Sequence, residues 1–159
     1  MLLTLLTTIF LLIVEIARKF FNFKTPLISD LILYCGKEYE KKFIAIEAIL
    51  YFFALFVISF FDKVSSFIGA TTLIIGDFCS SMIGVLFGST FFKTKKIVSI
   101  EGFIAFIIGV LPFYSLFIPL EKAFQLAFLM ALLECILAKE ENFVLPIVAT
   151  SFSKFLFGS

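Results

Sequence analysis

The chain has 159 residues, 62% of them hydrophobic, and its mean hydropathy is +1.16. Because soluble domains are about 45–50% apolar, this composition predicts a polytopic membrane protein. The net charge of +1 gives no basis for nucleic-acid binding, and the absence of histidine removes the commonest metal ligand and general base. Cys35, Cys79 and Cys135 lack zinc-site or disulfide spacing. Any metal is therefore expected to be a hard, oxygen-bound ion such as Mg²⁺.

The N-terminal stretch Met1–Val14 is apolar and lacks the positive region of a signal peptide, which predicts an uncleaved first helix. Arg18 and Lys19 follow it, either as a positive-inside stop or as part of a functional motif. Thr25–Gly36 is too short to cross a bilayer, so we expect a short helix that lies at the interface or re-enters the membrane. Lys37–Lys42 is expected to be a solvated turn.

Five further apolar segments follow, separated by short polar stretches, and we expect each to be a membrane-spanning helix. They are Phe43–Phe61, Val64–Phe87, Phe103–Pro119, Ala123–Ala138 and the shorter Phe143–Phe157. The residues from Ser89 to Ser99 are expected to form a basic loop. Because no linker or internal repeat divides the chain, the predicted fold is one all-α membrane domain over residues 1–159, with about six transmembrane segments.

Basic residues are distributed unevenly between the two predicted faces. If the N terminus faces outward, most of the 13 basic residues lie in segments that face the cytoplasm. That assignment places Arg18, Lys19, the basic loop and Glu101 on the cytoplasmic face of a cell membrane.

Asp77 lies inside the apolar run of the third predicted span. A carboxylate at membrane depth is costly, so it usually faces the protein interior or a wet cavity and usually has a function. Ser81 lies one helical turn further on, beside a row of small residues that allows a neighbouring backbone to approach closely. That row consists of Gly76, Ser80, Gly84 and Gly88. A structural buried acid is the alternative interpretation of Asp77.

Three lysines and a second acid follow this span, and the order of acid, bases and acid suits a metal-bound polyphosphate. The strings GDFCSSMIGVLFG and SIEG, with the lysine-rich connector between them, resemble the CTP-dependent lipid kinase family. That family includes dolichol kinase, phytol kinase and yeast-type diacylglycerol kinase, and the segment is distantly similar to phosphatidate cytidylyltransferases. The matching positions are Gly76, Asp77, Ser81, Gly84, Phe87, Gly88, Lys96, Ser99, Glu101 and Gly102.

Two weaker similarities flank the central one. Near the N terminus, EIARKFFN resembles the family pattern ExxRKxxH, with Asn22 in place of the histidine. In the C-terminal part, Glu134, Asn142 and Pro146 match a late segment of the family, with Glu141 in place of an aspartate.

The resemblance implies a membrane-embedded transferase that phosphorylates an isoprenoid or other lipid alcohol, of the dolichol or polyprenol type, with CTP and Mg²⁺. On this hypothesis Asp77 and Glu101 are the catalytic and metal-binding residues, and one of them accepts the proton of the alcohol, which enters from the bilayer. The residues expected to bind the nucleotide and its phosphates are Ser81, Lys93, Lys95, Lys96, Arg18, Lys19 and Asn142.

Two other functions stay open. A CDP-lipid synthase also uses CTP and Mg²⁺, but the chain lacks the second acidic string expected of that class. A small ion or solute transporter would use Asp77, Glu47 and Glu134 to bind an ion or a proton. Against a transporter, the charged residues are predicted at one face rather than along a path.

Overall fold

The structure is a computed structural model that describes residues 2–21, 46–89, 91–93, 97–137 and 141–157. These residues form helices and one short hairpin, joined by short turns. A π-helical turn, Thr72–Gly76, joins the third helix to the fourth, so that Lys63–Phe87 is one continuous helical segment of 25 residues. The helices are α1 (Leu2–Phe21), α2 (Ile46–Ile58), α3 (Lys63–Thr71), α4 (Asp77–Phe87), α5 (Ile100–Tyr114), α6 (Leu120–Ile136) and α7 (Glu141–Phe157).

An antiparallel hairpin stands where a loop was predicted. Its strands are β1 (Phe91–Lys93) and β2 (Ile97–Ser99), with Phe91 opposite Ser99. Aromatic and β-branched residues, which favour strands, occupy most of these positions. The loop prediction is therefore wrong for both strands, whereas the helical prediction is confirmed for the helices that the structure describes.

Two of the polar stretches between the predicted spans contribute residues to helices. Glu121 lies in the first turn of α6, which begins directly after Pro119, and Glu141 is the first residue of α7. Both departures have the same cause, because an acidic residue in the first turn is favoured by the positive end of the helix dipole. Pro119 also suits a helix start, since its fixed φ is close to the helical value.

The helices pack around a core that α5 and α6 dominate. Phe106, Val110, Leu126 and Met130 are fully or almost fully buried there. On another side, α3 packs against α7, where a Cβ at Gly69 would lie 2.7 Å from the Pro146 carbonyl oxygen. This contact joins the middle of the chain to its last described helix.

The predicted row of small residues forms a close helix contact, which confirms that prediction. A Cβ at Gly76 would lie 2.5 Å from the ring of Phe106, and a Cβ at Gly102 would lie 2.8 Å from the Ser80 carbonyl oxygen. The Cβ at Gly102 would also lie 3.5 Å from the Cα atom of Gly84. Because these positions lack side chains, the backbones of α4 and α5 approach each other closely.

Within the described ranges, only Lys63–Phe87 is long and apolar enough to cross a membrane. Three shorter apolar helical stretches accompany it, namely Leu5–Val14, Ile49–Ile58 and Ile100–Tyr114. Six crossings therefore stay a prediction.

Asp62 caps the start of α3. Its Oδ2 atom accepts a hydrogen bond of 2.9 Å from the backbone N–H of Ser65. This bond is the main reason that the pKa of Asp62 is lowered, and the charge of Lys154 acts in the same direction. The carboxylate form is thus the one that stabilises the folded chain.

We predict that Gly102→Ala lowers the free energy of unfolding by about 1–3 kcal/mol, because the new methyl group meets backbone that cannot rotate away. Gly84→Ala is the matched control, since its Cβ would meet the Ser99 hydroxyl at 3.1 Å and no backbone atom closer than 3.9 Å. We expect a change below about 1 kcal/mol there, partly offset by the better helix propensity of alanine. Thermal unfolding of the purified variants measures both, and equal losses would contradict the backbone contact.

We predict that Asp62→Ala costs about 1 kcal/mol at neutral pH, whereas Asp62→Asn costs little because asparagine is also a good cap. Since the folded pKa is lowered, this stability is present above the ordinary aspartate pKa and is lost as the pH falls through the folded value, below about pH 4. The unfolding temperatures of wild type and Asp62→Ala should therefore converge on acidification. A difference that grows on acidification would contradict this assignment.

Candidate functional site

Asp77 is the first residue of α4, directly after the π-helical turn. Its side chain is half-buried, and its Oδ1 atom accepts a hydrogen bond of 3.4 Å from the Ser81 hydroxyl. The predicted pairing of these two residues one turn apart is therefore confirmed. The phenol of Tyr51, on α2, lies close enough to interact electrostatically with the Asp77 carboxylate. Phe78, the next residue, points outward and is 60% exposed.

The π-helical turn before Asp77 is tied to α5. The Thr72 hydroxyl donates a hydrogen bond of 2.7 Å to the Ile68 carbonyl and lies 2.5 Å from the hydroxyl of the fully buried Tyr114. A π-helical turn shifts the residues that follow it around the helix axis, and such turns occur frequently at functional sites. The sequence predicted a helix over Val64–Phe87 whose glycines allow a break, and it did not predict this π-helical turn.

A second carboxylate is connected to the backbone of Asp77 through the Ser80 hydroxyl. Glu134, on α6, is 2% exposed, and its Oε1 atom accepts a hydrogen bond of 2.5 Å from the Ser80 hydroxyl. The same hydroxyl lies 3.2 Å from the Asp77 carbonyl oxygen. Sequence reasoning placed Ser80 in the packing row and did not connect it with Glu134, which lies 54 residues away in the chain.

Glu101 lies at the other end of α4 from Asp77. Its Oε1 atom accepts hydrogen bonds from the backbone N–H of Ser89, at 3.1 Å, and from the Ser89 hydroxyl, at 2.5 Å. Since α4 has 11 residues, its two ends are roughly 15 Å apart. The structure therefore places Asp77 and Glu101 too far apart to bind one ion together. The resemblance had assigned metal binding to both residues.

The hairpin is anchored beside Glu101. Ser99, the last residue of β2, is the N-cap of α5 and accepts a hydrogen bond of 3.0 Å from the Gly102 N–H. Lys93 is the last residue of β1 and is thus carried by this hairpin. The basic segment is therefore attached to the Glu101 end of the α4–α5 pair.

Three of the remaining predicted site residues lie on helices α1 and α7. Arg18 and Lys19 lie near the end of α1, and Asn142 is the second residue of α7 and is half-buried. Lys95, Lys96 and the segment Thr25–Gly36 lie outside the described residues.

The oxygen atoms near Asp77 suit a hard cation better than a soft one. Mg²⁺ is commonly held by one or two carboxylates together with substrate phosphates and water. Asp77, Ser81 and Glu134 supply such oxygen atoms from two helices. In the described ranges, no group of three or more acidic or cysteine side chains is arranged to hold a metal ion by itself. A metal at Asp77 would therefore depend on ligand atoms from a substrate.

Comparison with protein family models, with curated proteins and with solved structures finds no match for this chain. The resemblance to the CTP-dependent lipid kinases thus stays a prediction from the motif residues alone.

We predict that Ser80→Ala lowers the free energy of unfolding by about 1–3 kcal/mol, because the buried Glu134 carboxylate loses the short hydrogen bond from the Ser80 hydroxyl. Ser81→Ala is the matched control, since its exposed hydroxyl makes a long bond, and a change within about 0.5 kcal/mol is expected. Chemical denaturation of both variants measures the difference. A Ser81→Ala loss as large as that of Ser80→Ala would contradict the assigned importance of the Glu134 bond.

Proposed function

We propose that this chain is a multi-pass membrane protein whose bundle holds a phosphoryl-transfer site. The membrane assignment is supported by the continuous 25-residue apolar segment and by large apolar side chains that point away from the bundle. Val85, Leu86 and Phe87, for example, are 86%, 64% and 66% exposed. Such a surface suits contact with lipid, since large exposed apolar patches mark membrane or protein contact sites.

The proposed activity is the transfer of the terminal phosphoryl group of CTP to a lipid alcohol. The observation that carries it is the arrangement around Asp77, where a half-buried carboxylate, its Ser81 partner and the buried Glu134–Ser80 pair meet among apolar helices. Carboxylates in such surroundings usually serve a function. CTP, rather than another nucleotide, comes from the family resemblance.

In this proposal, Asp77 would hold Mg²⁺ together with substrate phosphates, and the chemistry that the ion would supply is neutralisation of charge on the phosphate oxygens. Asp77 is also the acid best placed to accept the proton of the lipid hydroxyl, because it lies on the apolar bundle. Lys93, Lys95 and Lys96 would bind the nucleotide phosphates, aided by Arg18, Lys19 and Asn142.

Glu101 takes a different part in this proposal from the one that the sequence indicated. It holds the base of the hairpin through Ser89, so that it positions the lysines rather than the metal. The substitution of each acid therefore has a different expected effect.

We predict that Asp77→Asn lowers phosphoryl transfer by about 100-fold or more, because the ligand charge and the proton acceptor are lost together. Glu101→Gln should keep measurable transfer, since glutamine still accepts the hydrogen bonds of Ser89. Purified protein in detergent, a panel of lipid alcohols and CTP labelled at the γ-phosphate give the measurement. Glu121→Gln, at the exposed start of α6, is the control and should retain full activity.

The position of the label separates the alternatives. Transfer of the γ-phosphate to lipid supports the kinase, whereas transfer of the α-phosphate identifies a CDP-lipid synthase. Transfer from neither position, with several lipids tried, favours the transporter. Equal losses in Asp77→Asn and Glu101→Gln would contradict the separate functions given to the two acids.

A further inference from the structure

A cavity of about 860 Å³ opens at the end of the bundle opposite the hairpin. It lies where the turn between α2 and α3 meets the turn after α5 and the last turns of α7. Pockets of roughly 300–1,000 Å³ are the usual size for small-molecule and cofactor sites. Its position at the start of Lys63–Phe87 separates it from Asp77 by most of that segment.

The walls of this cavity are mainly apolar. Phe61, Phe117 and Phe155 contribute aromatic rings, and Ile118 lies among them. Phe155 is 85% exposed, so the apolar wall continues from the cavity to the outer surface of the bundle. A ligand with a hydrocarbon part would thus find a continuous apolar path from the cavity to the surrounding medium.

Two opposite charges line the same cavity. The Lys154 ammonium lies 5.6 Å from the centre of the Phe61 ring. The Asp62 carboxylate is near enough to Lys154 to interact with it electrostatically. Asp62 already accepts the Ser65 N–H, which favours its ionised form. The cavity therefore presents one cation and one anion against aromatic faces, which also attract ammonium groups.

A buried hydroxyl adds a second, independent sign of a ligand. Ser153 lines the cavity and is 1% exposed, and its Oγ atom has no hydrogen-bond partner among the residues that the structure describes. Buried polar groups nearly always have a partner, and an unpartnered one is costly. A ligand with an acceptor oxygen would satisfy it.

We propose that this cavity binds the headgroup of a zwitterionic phospholipid, with its acyl chains against the exposed apolar wall. Lys154 and Ser153 bind the phosphate, and Asp62 with the aromatic faces binds the ammonium. An anionic headgroup without an ammonium would leave its charge facing Asp62, and an uncharged diacylglycerol would offer neither a phosphate to Lys154 nor an ammonium to Asp62. Charge complementarity thus favours the zwitterion over either.

The test uses the full chain in detergent, with phosphatidylethanolamine as the probe and phosphatidylglycerol and diacylglycerol as comparisons. Binding is followed by native mass spectrometry and by the shift in unfolding temperature. We expect phosphatidylethanolamine to bind about tenfold more tightly than either comparison lipid. Equal affinity for phosphatidylglycerol would overturn the zwitterionic assignment.

Variants test the contacts one at a time. Lys154→Gln and Asp62→Asn should each weaken phosphatidylethanolamine binding by about tenfold, and asparagine keeps the helix cap. Lys63→Gln removes the same charge beside Asp62 but lies outside the cavity lining, and it should bind as wild type does. Retained binding in both Lys154→Gln and Asp62→Asn, or an equal loss in Lys63→Gln, would overturn the proposal.

Ser153→Ala separates binding from folding. Removing an unpartnered buried hydroxyl should leave the lipid-free unfolding temperature unchanged or higher, while phosphatidylethanolamine binding weakens by about fivefold. A variant that is less stable without lipid and binds lipid normally would show that Ser153 has a structural partner instead. Lipid binding and unfolding temperature do not involve phosphoryl transfer. The result of this test is therefore independent of the activity proposed for Asp77.

Discussion

The close contact between α4 and α5 is the constraint on which the rest of the structure depends. Gly84 and Gly102 face each other without side chains, and Ser80 presents its carbonyl oxygen to Gly102. Because the two backbones meet here, the side chain of Ser80 is held where it reaches Glu134 on α6. The same contact places Glu101 at the far end of α4, where it binds Ser89. A methyl group at Gly102 would therefore disturb both acids at once.

Polar groups inside the bundle are largely arranged in pairs. The hydroxyls of Thr72 and Tyr114 form a hydrogen bond with each other. The Thr150 hydroxyl donates to the Pro146 carbonyl at 2.7 Å, and the Ser80 hydroxyl donates to the Glu134 carboxylate. Such pairing is needed because a polar group buried among apolar side chains is costly without a partner. Asp77 differs from these groups, since it is half-buried and its carboxylate accepts a long hydrogen bond of 3.4 Å from Ser81. This difference makes Asp77, rather than Glu134, the residue suited to meet a ligand.

Local patterns in the sequence predicted the local features well. Four-residue spacing identified the small-residue row, and the same helical geometry paired Asp77 with Ser81. The π-helical turn was not predictable in this way, because it depends on the contact between Thr72 and Tyr114, which are 42 residues apart. The Ser80–Glu134 bond was missed for the same reason. Asp77 and Glu101, to which the resemblance assigned metal binding, lie apart because closeness of motifs along the chain does not fix distance when a full helix separates them.

The most direct measurement of the central claim is the labelling of single cysteines in the intact protein in lipid bilayers. Cys35, Cys79 and Cys135 are replaced by alanine, and Asp77→Cys is compared with Phe78→Cys, its outward-facing neighbour. The account predicts that a charged, water-soluble thiol reagent modifies position 77 and that position 78 stays unmodified. Modification of position 78 with protection of position 77 from the aqueous reagent would contradict it.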